Sequence, residues 1–399
     1  VLAELASELT EGVASEERGA YEAVGHEFAI NSPGQLSDLL FRELGLPAGK
    51  RTQTGYSTDA SILEGLLKQA DEGLLEGDAE PQKGLEVIRH VLRYRELSKL
   101  KSTYVDTLPA QVNPRTGRVH TTYNQAGSAT GRLASNDPNL QNIPVRTEMG
   151  LRVRQAFIAA ERPAWKLVSA DYSQIDLRAL AHLSGDAAMR AAFERGEDIH
   201  ASTASLIYKV ALKDVTRDMR RLAKVMNFGV TYGLSAFGIS QQTDLTREEG
   251  AAFIEQYFAT YPGVRAFLDA TVAEARKHGY VQTLLGRRRY LPELNASAFP
   301  VRQAAERMAL NMPVQGTSAD IINAAMIRVQ RRLEADGFAA RMLLQVHDEL
   351  VFEAPRDEVR KLSGMLREEM PAALELAVPL AVELKTGDDW ASLDVESEG

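Results

Sequence analysis

The feature that most constrains the fold is a pair of aspartates that lie far apart in the chain, each at the end of an apolar run. Asp171 follows the run LVSA at 167–170, and Asp348 lies in a tight turn between apolar segments at 341–346 and 350–352. Short apolar runs bounded by turn residues predict buried strands. Both aspartates can therefore meet at the edge of one sheet.

Each aspartate also has an ordinary structural explanation. Asp171 precedes a helix-forming stretch, and an aspartate at that place commonly caps the helix. Asp348 lies in a turn, where aspartate often bonds to neighbouring backbone. The functional alternative is a cation site, because hard ions such as Mg²⁺ prefer a few carboxylates together with phosphate oxygens of a substrate.

A second pattern places two cations and two aromatic residues at intervals of four: Arg220, Lys224, Phe228 and Tyr232. Each step of four residues turns an α-helix by ~400°, so the four side chains fall within one stripe ~120° wide and ~18 Å long. Such a stripe suits a nucleoside triphosphate, with charges for the phosphates and rings for the sugar and base. A surface helix with two aromatic anchors is the structural alternative.

Charge is distributed unevenly along the chain. The net charge is -9, yet residues 201–347 carry 19 Lys and Arg against 13 Asp and Glu, a net of +6. A second basic segment is the predicted helix at 85–104, which bears Lys99 and Lys101. Its basic residues form either a solvated face or a surface that binds a phosphate backbone. A nucleic-acid partner requires clustered Lys and Arg, so the negative net charge of the whole chain does not exclude a nucleic-acid partner.

Composition narrows the remaining possibilities. The chain has no Cys, which excludes disulfides and thiolate metal sites and leaves oxygen or imidazole as metal ligands. No apolar run approaches the ~20 residues that cross a bilayer, so we expect a cytoplasmic protein without a membrane partner. At 399 residues the chain is too long for one hydrophobic core, and we expect several subdomains.

Several segments, taken in order, resemble the polymerase region of bacterial family A DNA polymerases. Their motifs A, B and C are similar to DYSQIDLR at 171–178, RRLAKVMNFGVTYG at 220–233 and QVHDEL at 345–350. Further similar segments lie at 97–109, 129–147, 286–294 and 306–320. The similarity covers nearly the whole chain.

The resemblance implies an α+β right-hand polymerase fold, with a mostly helical thumb and fingers and an antiparallel-sheet palm. We expect an N-terminally truncated thumb at 1–110, the first part of the palm at 111–197, the fingers at 198–318 and the second part of the palm at 319–399. The family's nuclease domains precede the thumb, so we expect no proofreading domain in this chain. We also expect a monomer associated with the nucleoid.

The implied reaction is template-directed addition of deoxynucleoside triphosphates to a primer 3′-hydroxyl, with release of pyrophosphate. The resemblance implies that Asp171, Asp348 and the backbone carbonyl of Tyr172 hold two Mg²⁺ ions, for which Mn²⁺ can substitute. Lys224 is expected to donate a proton to pyrophosphate. The residues expected to bind the nucleotide are Arg220, Lys224, Phe228, Tyr232, His200, Gln174 and Asp176. Those expected to bind primer–template DNA are Arg132, Asn142, Asn311, Gln315, His347, Lys99 and Lys101.

One residue departs from the family pattern. Asp176 stands where motif A usually has Glu, the residue that blocks a ribose 2′-hydroxyl, and we expect the shorter side chain to exclude ribonucleotides less well.

Two other functions compete with DNA synthesis. A phage-type RNA polymerase shares this palm, but an acidic residue at 176 and Phe228 favour a deoxynucleotide enzyme. A non-catalytic nucleic-acid clamp is disfavoured, because Asp171, Asp348, Lys224 and Arg220 are all present.

Overall fold

A computed structural model describes residues 1–49, 51–52, 55–74, 79–145, 147–230, 232–243 and 245–395. The chain divides into two compact units, Val1–His120 with Asn142–Phe157, and Thr121–Gln141 with Ile158–Gly399. Within the described ranges, every helix is too short or too polar to cross a membrane. The finer division into thumb, palm and fingers stays a prediction.

The first unit is mainly helical. Its helices are α1 (Leu2–Val24), α2 (Pro33–Asp38), α3 (Ala60–Asp71), α4 (Ala79–Leu100), α5 (Thr107–Ala110) and α6 (Glu148–Arg154). Its strands form two short antiparallel pairs, β1 (Arg51–Thr52) with β2 (Gly55–Tyr56) and β3 (Val112–Asn113) with β4 (Arg118–Val119). The apolar face of α4, including Leu85, Ile88 and Val91, is buried in the core of this unit. A π-helical turn at Lys101–Val105 continues α4. The predicted basic amphipathic helix at 85–104 therefore lies in α4 and that turn.

The second unit contains nine α-helices within its described residues. They are α7 (Ile175–Ser184), α8 (Ala187–Glu194), α9 (Ile199–Tyr208), α10 (Arg217–Val230), α11 (Ala236–Gln242), α12 (Arg247–Thr260), α13 (Pro262–His278), α14 (Phe299–Ala335) and α15 (Val359–Glu369). Its strands are β5 (Thr122–Asn124), β6 (Ala134–Asn136), β7 (Trp165–Tyr172), β8 (Tyr280–Gln282), β9 (Arg288–Tyr290), β10 (Arg341–Val346), β11 (Glu349–Pro355), β12 (Val382–Gly387) and β13 (Leu393–Val395).

A five-stranded antiparallel sheet organises the second unit, with the order β10-β11-β7-β12-β13. Side chains alternate between the two faces of a strand. Val168, Ala170 and Tyr172 of β7 are buried in one core cluster together with residues of α14 and α15. Asp171, between Ala170 and Tyr172, belongs to the other face. The sheet predicted around the two aspartates is confirmed, with β7 at its centre.

Helix α14 is 37 residues long and contains a proline, Pro313, in its interior. An interior proline removes one backbone hydrogen bond and costs a helix ~3 kcal/mol. Burial of Ala309, Met312 and Val314 on either side of this point offsets that cost.

The edge strand β13 depends on a close backbone approach at Gly387. A Cβ atom at Gly387 would collide with the backbone carbonyl oxygen of Ser392, which no side-chain rotation can relieve. We predict that Gly387→Ala destabilises the protein by about 1–3 kcal/mol and lowers Tm. Gly364→Ala is the control, because a Cβ at this exposed position of α15 meets no atom within 4 Å. That change should raise Tm slightly, and equal midpoints for the two variants would contradict the prediction.

Candidate active site

The two aspartates meet at one edge of the central sheet. Asp171 is the penultimate residue of β7, and Asp348 lies in the two-residue turn between β10 and β11. The amide of Tyr172 donates a hydrogen bond to the carbonyl oxygen of Asp348, at 3.1 Å. His347 takes a φ of 57° in this turn, as tight hairpins require. The residue that caps α7 is Gln174, also left-handed with φ 57°, so Asp171 is not a helix cap.

Asp171 lies in a row of acidic residues across the sheet. Its register partners are Glu349 on β11 and Glu383 on β12, so the three side chains share one face. Burial raises the pKa of Asp171 to about 7, with further contributions from Glu349 and Asp348, while Lys385 opposes the rise. The ionised form of Asp171 is therefore poorly compensated by the protein itself.

The ionised form of Asp348 is also poorly compensated. Burial, followed by the charge of Asp176, raises the pKa of Asp348 to about 6, and Arg132 opposes the rise. The guanidinium of Arg132 lies 3.4 Å from Asp348 and 3.8 Å from Asp176. Its Nε atom is buried and has no hydrogen-bond partner among the described residues. A buried donor of this kind is suited to an acceptor supplied by a ligand.

The carboxylate pair fits a divalent cation that also binds substrate. Within the described ranges, no three acidic or imidazole side chains form a complete cation-binding set. Mg²⁺ is commonly held by one or two carboxylates together with substrate phosphates. Asp171 and Asp348 provide such a donor pair, and burial, the main cause of their raised pKa values, disfavours the charged carboxylates that a cation would stabilise.

Helix α10 carries the predicted cationic and aromatic stripe. Lys224 and Phe228 are exposed and Arg220 is half-buried, whereas the opposite face is buried through Ala223, Met226, Asn227 and Val230. The stripe is therefore the outer face of an amphipathic helix.

Tyr232 lies beyond the helix, in the turn that ends it. Gly233 adopts a left-handed φ of 64°, and its amide bonds to the carbonyl of Val230 while the amide of Leu234 bonds to that of Gly229. These two bonds form a Schellman motif. The prediction of one helix through all four stripe residues was thus wrong at Tyr232, because the glycine at 233 ends the helix.

Two predicted phosphate contacts lie beside α10. His200 is buried, its Nδ1 lies 3.0 Å from the side-chain amide of Asn227, and its ring centre is 5.5 Å from that of Phe228. Burial lowers the pKa of His200 to about 4, so the ring is neutral at pH 7. Arg220 forms an ion pair of 2.7 Å with Asp198, the N-cap of α9. Asp198 was not among the predicted site residues, and it compensates part of the charge of Arg220.

Asp176 and Tyr232 lie close to the aspartate edge but have different partners. The buried hydroxyl of Ser318 donates to Asp176 at 2.6 Å. The hydroxyl of Tyr232 lies 3.5 Å from the side-chain amide of Gln315 and is also hydrogen-bonded to Asn311. Asn311 and Gln315 are one helical turn apart on α14, which places them on the same face.

Three predicted DNA contacts belong to the first unit. Lys99 is exposed on α4, and Lys101 in the following π-helical turn pairs with Asp106 at 2.8 Å. Asn142 is exposed. Their contact with DNA stays a prediction.

Four further residues of the site were missed by sequence reasoning. Glu349 follows Asp348 directly and could have been assigned from strand alternation. Glu383 and Lys385 lie on β12, a strand that was not predicted, and Ser318 requires knowledge of how α14 packs on α7.

The comparisons with known proteins point to one family. The sequence profile described as DNA polymerase family A matches residues 1–392. Thermostable DNA polymerase I of Thermus aquaticus is 52% identical over 390 residues, which are 97% of this chain and 45% of the relative. DNA polymerase I of Geobacillus stearothermophilus is 49% identical over 98% of this chain and 43% of the relative.

A solved structure is similar in three dimensions. It is described as the POL domain of Pol1 from M. smegmatis in complex with DNA primer-template and dNTP. Its TM-score is 0.90 and its sequence identity 45%, over 98% of this chain and 66% of that chain. The chain thus spans less than half the length of the two curated relatives.

The raised pKa of Asp171 predicts a pH-dependent cost to stability. A carboxyl whose pKa is raised on folding destabilises the folded state increasingly as pH rises from its unfolded value, 3.8, to its folded value, about 7. In EDTA, Asp171→Asn should therefore raise Tm most at pH 8, with the gain shrinking towards pH 4. The control is Asp357→Asn, at an exposed position. A gain that is independent of pH, or largest at low pH, would contradict the assignment.

Proposed function

Because the chain belongs to DNA polymerase family A, we propose that it adds deoxynucleoside triphosphates to the 3′-hydroxyl of a primer on a DNA template and releases pyrophosphate. The observation that carries the proposal is the half-buried pair Asp171 and Asp348, which meet at the sheet edge with raised pKa values. The similar M. smegmatis domain, described as bound to primer-template DNA and dNTP, supports the choice of substrates.

The carboxylates of Asp171 and Asp348, with the backbone carbonyl of Tyr172, would hold two divalent cations, Mg²⁺ or its substitute Mn²⁺. When bound, such ions favour ionisation of the primer hydroxyl and neutralise charge on the triphosphate and leaving pyrophosphate. Burial raises the pKa of both carboxyls, to about 7 for Asp171 and about 6 for Asp348, so a bound cation would favour their ionised forms, and the sheet edge supplies their fixed position.

The outer face of α10 would receive the incoming nucleotide. Lys224 presents an exposed ammonium that binds the triphosphate and donates a proton from Nζ to pyrophosphate. Arg220 binds the phosphates as well, with its charge moderated by Asp198. His200, neutral at pH 7, acts as a hydrogen-bond partner rather than a charge. Phe228 packs on the sugar and base.

The nascent base pair would lie between the turn after α10 and the aspartate edge. Tyr232 stacks at the template position, and Gln174, at the start of α7, borders the nucleotide. Arg132, Asn311, Gln315 and His347 would donate hydrogen bonds to the minor groove, whose acceptors are nearly alike in every correct pair. Lys99, Lys101 and Asn142 would contact the DNA backbone from the first unit.

Primer extension tests the reaction directly. We predict that Asp171→Ala and Asp348→Ala each lower the rate below a tenth of the wild-type value, a loss of more than ~1.4 kcal/mol. Affinity for primer–template DNA should change less than two-fold, because basic side chains supply most of it. Asp394→Ala, an exposed acid on β13, is the control. The assay is run with deoxynucleotides and with ribonucleotides, with and without Mg²⁺.

Three outcomes of this assay would contradict the proposal. Preferred use of ribonucleotides would indicate an RNA polymerase. DNA binding without any synthesis by the wild type would indicate a clamp. More than a tenth of the rate in either aspartate variant would remove the metal assignment.

Sugar selection is predicted to depend on the length of the acid at 176. Ser318 holds the carboxylate of Asp176 against α14, so the side chain leaves space where a Glu would fill it. A methylene in contact with the sugar is worth ~1 kcal/mol. Asp176→Glu should therefore raise the ratio of kcat/KM for a deoxynucleotide over its ribonucleotide about five-fold. Asp176→Asn has the same length and should leave the ratio nearly unchanged. An unchanged or smaller ratio in Asp176→Glu would show that side-chain length does not set selection.

A further inference from the structure

The ribbon formed by β8 and β9 has one buried and one open face. Val281 points into the core cluster beneath the ribbon, together with Leu291 and Leu294. The antiparallel register pairs Tyr280 with Tyr290. The side chains at 280, 282, 288 and 290 consequently share the opposite face, which is turned to solvent.

The open face of the ribbon is aromatic and cationic. The rings of Tyr280 and Tyr290 lie 5.6 Å apart, and the guanidinium of Arg288 lies 4.5 Å over the ring of Tyr280. Tyr280 is therefore covered by neighbours, but Tyr290 is 68% exposed. A cation–π pair explains the position of Arg288 and Tyr280. Tyr290 contacts the ring of Tyr280, but most of its own ring remains open to solvent.

Tyr290 also forms one wall of a groove. The groove has a volume of about 470 Å³ and lies between the ribbon and the first turns of α14, where Val301, Ala304 and Met308 line it. Arg289 closes one side, with its guanidinium 3.1 Å from the sulfur of Met308. The charged side chains that line the groove are Arg289 and Glu293, and Arg288 lies on the adjoining open face of the ribbon. An aromatic wall, an apolar floor and neighbouring cations are features of a site that stacks a nucleobase and holds its phosphate.

We propose that this groove and the open face of the ribbon bind unpaired nucleotides of single-stranded DNA. A base stacks on Tyr290 and enters the groove, while Arg288 contacts the adjoining phosphate. The charge of the segment favours a polyanion, because 286–294 contains three Arg and one Glu. Duplex DNA does not fit this description, since its bases are already stacked on one another. The inference rests on the proposed function, in which the template beyond the primer terminus is the unpaired strand.

Binding to two labelled primer–templates tests the proposal. Both have the same duplex, and their template 5′ overhangs are one nucleotide and about ten nucleotides long. Fluorescence anisotropy gives Kd for the wild type, Tyr290→Ala, Tyr290→Phe and Arg288→Gln. Arg247→Gln, at an exposed position of α12, is the control for loss of a charge. Thermal unfolding checks that each variant keeps the wild-type Tm.

We expect Tyr290→Ala to raise Kd for the long overhang roughly five-fold or more, the loss of one stacked base, and to leave the short overhang within two-fold. Tyr290→Phe retains the ring and should bind as the wild type does, whereas Arg288→Gln should weaken the long overhang more than Arg247→Gln. Equal weakening on both DNAs overturns the proposal. A wild type that binds the short-overhang DNA and gains nothing from the longer overhang also overturns it, and leaves the proposed polymerase function standing.

Discussion

The pairing of β7 with β11 is the constraint on which the site depends. This register sets Asp171 opposite Glu349 and brings Asp348 to the same edge, where burial and then neighbouring carboxylates raise the pKa of both aspartates. Such an arrangement opposes folding at neutral pH. It persists because the other face of the same strands is fully buried against α14 and α15. The core thus holds in place a cluster of carboxylates whose charge Lys385 and Arg132 compensate only in part.

Helix α14 connects this edge to the predicted nucleotide site. Ser318 on its inner side holds Asp176, and Gln315 and Asn311, about one and two turns earlier, contact the hydroxyl of Tyr232. Arg132 bridges Asp176 and Asp348 from a separate segment. A change at any of these side chains can therefore alter both the aspartate edge and the turn after α10.

The sequence was sufficient to predict those parts of the structure that local residue patterns determine. Apolar runs ending in Asp171 and flanking Asp348 predicted the sheet, because alternation and turn residues are local. The acidic partner Glu383 was not predictable in this way, since β12 pairs with β7 only through tertiary packing. Tertiary burial also allows α14 to continue past Pro313. The left-handed conformation of Gly233 ends α10 before Tyr232. The ion pair of Asp198 with Arg220 joins two helices, and no local sequence pattern in either helix predicts it.

The most direct test of the central claim is to locate the cations. The measurement is anomalous diffraction from manganese in a crystal of the chain with primer–template DNA and a deoxynucleotide, using a primer that lacks its 3′-hydroxyl. We predict two manganese peaks, each bonded to carboxylate oxygens of Asp171 and Asp348, and loss of at least one peak in Asp348→Asn. Manganese bound away from these two side chains, or an unchanged pair of peaks in Asp348→Asn, would contradict the account.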